Sequence, residues 1–218
     1  NHDGTFAKIF AGAIATDNEA SITCASVDYD NDGYLDLFVG NPSGASALYH
    51  NNGDGSFTRM TTNTVGHLAA DATGFFTFAW GDYDNDGDQD VFVTNGGISQ
   101  TRSNFFYRND GNQNQWIRIQ CQGTASNTSA IGAMIRLKAT IAGKAVWQMQ
   151  QISGQTGFLG QNSMNPEFGL GNATTIDSLV VNWPSGRKQV LTNVAPNQFL
   201  KIVEESTTAV ADEQHPAT

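Results

Sequence analysis

The chain has 218 residues, enough for one large or two small domains, and carries 21 acidic against 11 basic residues for a formal net charge of −10. An acidic chain without a run of Lys or Arg argues against binding to nucleic acid or to anionic membrane surfaces. No apolar run approaches the length of a transmembrane helix, so membrane insertion is not expected.

The chain opens with Asn1-His2-Asp3-Gly4-Thr5-Phe6, a turn that returns as Asn51-Asn52-Gly53-Asp54-Gly55-Ser56-Phe57. A start without Met inside a recurring motif is expected of a processed chain or a fragment. Ser21 to Val27 and then Leu37-Phe38-Val39 are short runs rich in β-branched residues, and they predict strands. Between them lies Asp28-Tyr29-Asp30-Asn31-Asp32-Gly33-Tyr34-Leu35-Asp36. A strand ending in Leu48-Tyr49-His50 precedes the Asn-Gly turn. The same order then repeats: Phe75 to Trp80, the loop Asp82-Tyr83-Asp84-Asn85-Asp86-Gly87-Asp88-Gln89-Asp90, Val91 to Thr94, and Phe106-Tyr107-Arg108. A degenerate third turn, Tyr107-Arg108-Asn109-Asp110-Gly111, follows.

Each loop puts Asp at positions 1, 3, 5 and 9 and Gly at position 6. Four carboxylates in nine residues repel one another unless a cation sits among them, and a hard divalent ion with oxygen ligands, Ca²⁺ above all, fits that donor set. The expected ligands are Asp28, Asp30, Asp32 and Asp36 in one loop and Asp82, Asp84, Asp86 and Asp90 in the other. Tyr34 and Asp88 stand at position 7, where a main-chain carbonyl ligates. Two ions, one per loop, would move the net charge from −10 to −6 (−10 + 4). The bland alternative is a pair of Asp/Asn/Gly surface turns without metal. An EF-hand is disfavoured, because position 12 is Val39 or Val93 instead of Glu and the flanks are strands instead of helices.

About fifty residues with four strands is the size of a propeller blade. The stretch Ala79-Trp80-Gly81-Asp82 through Asp90-Val91 resembles the FG-GAP, or VCBS-type, repeat of integrin α-like propellers, over about residues 1–111. That resemblance implies Ca²⁺ in an inter-strand loop of each blade, on the ten residues just named. Such propellers generally have about seven blades, against two full units here, so the chain is expected either to be part of a longer propeller or to form a homo-oligomer.

From about residue 112 the repeat stops. Asn114 to Ile119, Asn127-Thr128-Ser129-Ala130-Ile131-Gly132-Ala133, Phe168-Gly169-Leu170-Gly171 and Val181-Asn182-Trp183-Pro184-Ser185-Gly186 together resemble the ASPIC/UnbV domain, over about 112–205. That family brings no established activity to carry over. Independently, Ile131, Ile135 and Leu137 with Met134 on the other face, then Val146 to Met149 and Leu179 to Val181, predict strands, and Trp183 to Arg187 a hairpin turn. The expected fold is all-β: two four-stranded propeller-type blades forming a partial propeller (1–111), a β-sandwich-like domain (112–205) and a polar tail (206–218).

Other chemistry is thin. Cys24 and Cys121 lie in strand-like runs, where buried free thiols are expected over a disulfide. His2, His50, His67 and His215 have no zinc-site spacing. The alternative, a carbohydrate-active hydrolase or lyase with structural calcium, would use two carboxylates outside the loops, for example from Asp71, Glu167 and Asp177. Trp80, Trp116, Trp147 and Trp183 are expected in cores before any sugar-stacking surface. The expectation is therefore a non-enzymatic calcium-binding module for adhesion or for recognition of a protein or glycan. Open loop sites of this kind suit extracellular calcium, so the chain is expected to be secreted, with a bacterial periplasm or cell surface included.

Overall fold

The computed structural model describes residues 4–42, 44–69, 75–95 and 103–205. These are almost entirely strand and loop. The short helical segments, Ala13–Thr16, Thr62–Val65 and the 3₁₀ turn Gly66–Ala69, bury no side chain.

The first sheet has the order β1 (Thr23–Val27), β2 (Asp36–Gly40), β3 (Ala47–Asn51), β4 (Phe57–Arg59), with every pair antiparallel. In β1 the residues Thr23, Ala25 and Val27 point inward while Cys24 and Ser26 face out, the period of two that a half-buried strand requires. Cys24 is therefore an exposed thiol, in contrast to the expected burial, while Cys121 is buried and both are free.

The second sheet is β5 (Phe75–Gly81), β6 (Asp90–Asn95) and β7 (Phe105–Tyr107). It differs from the expected four strands. After β7 the chain passes through the Asn109 to Asn112 turn into β8 (Gln115–Gln122), which leaves the blade and joins another sheet. The reason is the inward face of β8: Ile117, Ile119 and Cys121 belong to a second core. The described strands of the two blades close no ring. The blades share one core, in which the fully buried Phe38 ring packs edge-on to Phe78 (4.9 Å) and Trp80 (5.4 Å).

The remaining strands are β9 (Met134–Ile141), β10 (Lys144–Gln151), β11 (Glu167–Gly171), β12 (Ile176–Asn182), β13 (Lys188–Val194) and β14 (Gln198–Val203). They form a four-stranded sheet, β10-β9-β12-β13, facing a three-stranded one, β11-β8-β14. Ile135, Leu137, Leu179 and Val181 from one sheet meet Ile117, Ile119, Phe168 and Ile202 from the other, which makes the sandwich core. β14 runs parallel to β8, with Gln198 opposite Ile117 and Val203 opposite Gln122. The predicted turn between β12 and β13 is closed by the Gly186 N–H on the Trp183 carbonyl (2.9 Å), with Gly186 at φ +89°. Ile131, expected to extend β9, lies before the strand and is exposed. Trp80 and Trp183 are in cores as expected; Trp147 is exposed. Asp71, His2, His215 and the tail 206–218 lie outside the described residues.

Candidate metal centre

Both Asp loops are β-hairpin connections, one between β1 and β2, the other between β5 and β6, and both have the same internal hydrogen bonds. At position 1 the Asp28 carboxylate accepts the N–H groups of Asp32 (3.1 Å) and Gly33 (2.9 Å). The Asp82 carboxylate likewise accepts those of Asp86 (3.2 Å) and Gly87 (3.1 Å), and of Asn85 (2.6 Å). At position 5, Asp32 accepts the Tyr34 N–H (2.8 Å) and Asp86 the Asp88 N–H (3.0 Å). At position 9, Asp36 is clamped by the N–H groups of Tyr29 (3.2 Å) and Asn51 (2.7 Å), and Asp90 by those of Tyr83 (3.0 Å) and Asn109 (2.7 Å). The backbone doubles back through left-handed residues at Asn31 and Gly33 (φ +57° and +93°) and at Asn85 and Gly87 (+64° and +91°).

This winding brings Asp28, Asp30 and Asp32 together, and Asp82, Asp84 and Asp86 together, with a ligand-type oxygen from each within 4.8 Å of the others. Asp36 does not join the first triad; it groups with Asp30 and His50. Asp90 stands apart from the second triad, both oxygens engaged by backbone N–H groups. Tyr34 packs its ring over Gly53, and the Asp88 carboxylate turns away to accept the Asn31 amide (2.9 Å).

The residues fit a hard cation. Crowded carboxylates hold their protons unusually well: burial and then the charges of Asp32, Asp30 and Asp36 raise Asp28 well above the ordinary value. Burial, with the charge of Asp30 against the pull of the Asn51 and Tyr29 N–H groups, pushes Asp36 up to about 7. Burial and the neighbouring Asp86 push Asp88 up to about 6. Asp30 Oδ1 is buried and has no hydrogen-bond partner among the described residues, the type of acceptor that a cation can satisfy.

The two loops are not electrostatic twins. Beside the second, Arg118 of β8 reaches Asp82 Oδ2 (3.3 Å) and Glu167 (3.1 Å), so a guanidinium already offsets part of its charge. Glu167, also bonded to Gln89, is pushed up to about 8 by burial against the opposing pull of Arg118. Asp177 is exposed on β12 in the other sheet, so the described pair of acidic residues does not converge. Beside the first loop stands His50, which sequence spacing missed. The β2–β3 register, with Leu37 opposite Tyr49, is what carries it next to Asp36.

The loops also touch one another and the sandwich. The Asn31 amide donates to the Gly87 carbonyl (2.9 Å), and the Asn109 amide to the Tyr29 carbonyl (2.7 Å). The Gly171 N–H donates to the Asn31 carbonyl (2.8 Å), which seats β11 directly on the first loop.

Residues 28–93 match the FG-GAP-like repeat model, and residues 123–209 match the ASPIC and UnbV model. The chain is an FG-GAP-like repeat followed by an ASPIC/UnbV domain. Its sequence is 27% identical over 190 residues to cartilage acidic protein 1 of Homo sapiens, covering 84% of this chain and 27% of that protein. The Mus musculus protein of the same name is also 27% identical over 190 residues, with 84% of this chain and 28% of that protein covered. The chain thus spans little more than a quarter of the length of these curated relatives. Among its described residues no helix is long and apolar enough to cross a membrane.

Proposed function

We propose that this chain is a non-catalytic, extracellular calcium-binding module that uses its rigidified loops and sandwich surface for adhesion or for recognition of a protein or glycan. The observation that carries the reading is the shared construction of two separate loops: the same three carboxylates converge, held by the same backbone N–H groups. Asp28, Asp30 and Asp32, and Asp82, Asp84 and Asp86, would hold the ions. Asp36 and Asp90 would act from behind as buried supports. Ca²⁺ would supply positive charge among carboxylates that otherwise repel one another. The chain's own part is to hold the oxygens in place through the left-handed turn and the N–H clamps. The cartilage named in its relatives supports an extracellular setting, as does the oxygen-only, open character of the second loop.

The test is calcium titration of the whole chain after chelation. Two equivalents should bind, Asp84→Ala should bind one fewer, and excess chelator should lower the melting temperature. A melting curve indifferent to chelator sinks the reading. A polysaccharide turnover screen set beside a glycan array separates recognition from catalysis.

A further inference from the structure

We propose that the outer face of the four-stranded sheet β10-β9-β12-β13 binds a carboxylate-bearing polysaccharide, with Trp147 as its stacking platform and Arg136 and Lys138 as its charge partners. This rests on the recognition part of the proposed function and names the ligand class. The acidity of the chain is not shared by its two halves. Residues 1–111 hold four basic and fifteen acidic residues, a formal −11 (4 − 15), whereas residues 112–205 hold seven and four, a formal +3 (7 − 4). Two of those four acids, Glu167 and Glu204, are buried, so little acidic charge is left on the sandwich surface.

Strand register sets this face. Gln148 and Gln150 of β10 turn inward and donate to the carbonyls of Gly169 and Glu167, which leaves Trp147 and Met149 pointing out. Met149 stands opposite Arg136 of β9, Arg136 opposite Val180 of β12, and Val180 opposite Val190 of β13, a row across all four strands. In the next row Trp147 stands opposite Lys138, and Lys138 opposite Ser178. The Lys138 ammonium lies 6.0 Å from the Trp147 ring centroid, within cation–π reach. Trp147 is 58% exposed, and among the described residues no carboxylate pairs with Arg136 or Lys138. The one acidic residue on these four strands is Asp177, at the irregular start of β12.

Cations interleaved with an exposed indole suit a ligand that is both anionic and ring-faced. A sugar ring lays its C–H face on the indole and leaves its carboxylate for Arg136 and Lys138. By strand spacing and rise the face is about 15 Å across and about 25 Å long, roughly 400 Å², against about 800 Å² per partner in a stable protein interface. An acidic peptide taken in extended form would add to a sheet edge, whereas β9 and β12 are paired on both sides. A nucleic acid carries far denser charge than two cations can match, and the acidic half of the chain repels it more strongly than a sparsely charged glycan.

The test measures binding by the whole chain, in excess calcium, of an oligosaccharide of alternating glucuronate and N-acetylglucosamine, beside neutral dextran, polyglutamate and single-stranded DNA. The oligosaccharide should bind more tightly than the other three, and its affinity should fall as salt rises. Trp147→Ala should weaken it by at least about tenfold, and the double variant Arg136→Gln/Lys138→Gln by at least about fivefold. Lys201→Gln, which removes an exposed cation of β14 in the other sheet, should leave it unchanged. If Trp147→Ala does not fold, the charge variant carries the comparison. Affinity that ignores both variants overturns the proposal, as does a parent chain that binds no oligosaccharide or takes dextran, polyglutamate or DNA as tightly. Calcium titrated into the same proteins separates the two readings. Two calcium ions bound without any oligosaccharide binding would overturn this inference alone. Oligosaccharide bound through Trp147 with no calcium uptake would overturn the calcium reading alone.

Discussion

Gly169 sits where the sandwich meets the first loop, and a Cβ there would run into the Asp28 carboxylate and the Asn31 backbone. Gly169→Ala should therefore cost about 1–3 kcal/mol in denaturant unfolding. Gly186→Ala, at φ +89° in open space, should cost about 1 kcal/mol from backbone conformation alone. Equal losses would mean that the close approach at Gly169 carries no energy. Glu204 offers a second test. Burial would raise its pKa, but N–H groups of Ser126, Thr124 and Ala125 and the Ser185 hydroxyl outweigh that and lower it to about 2 from 4.5. A depressed carboxylate adds stability above its unfolded pKa and loses it as pH falls through the folded one. The melting-temperature gap between the parent chain and Glu204→Gln should thus be full at neutral pH and shrink between about pH 5 and pH 2. A gap constant over that range contradicts the assignment. At this scale the clustering of Asp28, Asp30 and Asp32, and of Asp82, Asp84 and Asp86, was legible because alternate carboxylates and a Gly in one turn are a local pattern, whereas the places of Asp36 and Asp90 outside those triads were not. His50 was not legible, because its place beside Asp36 depends on strand register.

Phe38 is the element-scale counterpart. It belongs to β2 yet packs on Phe78 and Trp80 of β5, so two sheets share its ring. Phe38→Ala should cost about 3–5 kcal/mol and weaken both sheets together. Hydrogen exchange resolved by strand checks this, and loss of protection confined to β1–β4 would count against a shared core. The strands flanking both loops could be read from alternation, since a strand with one buried face must place apolar residues every second position. The diversion of β8 into the sandwich could not. Its apolar face suits either core, and what decides is the pairing with β11 and with the distant, parallel β14.

For the whole molecule, the two Asp loops lie at the junction of the two halves. Gly171 bonds Asn31, Arg118 bonds Asp82, and the Asn112 and Asn114 amides both reach the Asp30 carbonyl. The segment before β11 also runs along β5, with the Ser163 N–H on the Trp80 carbonyl (2.8 Å), which covers an edge that would otherwise stay open. Calcium should therefore protect amides of β8 and β11 as well as those of the loops. Protection limited to residues 28–36 and 82–90 would mean that the halves respond independently.

The sequence by itself determined the all-β class, the two carboxylate loops and the order of a repeat followed by a different domain. Each of these is written in residues close together in the chain. Only the tertiary structure decided that β8 leaves the second blade, that His50 joins the first loop, that Arg118 stands beside the second, and that the sandwich rests on both. Those outcomes depend on contacts between residues far apart in the chain, which strand register and shared core packing select and no local pattern encodes.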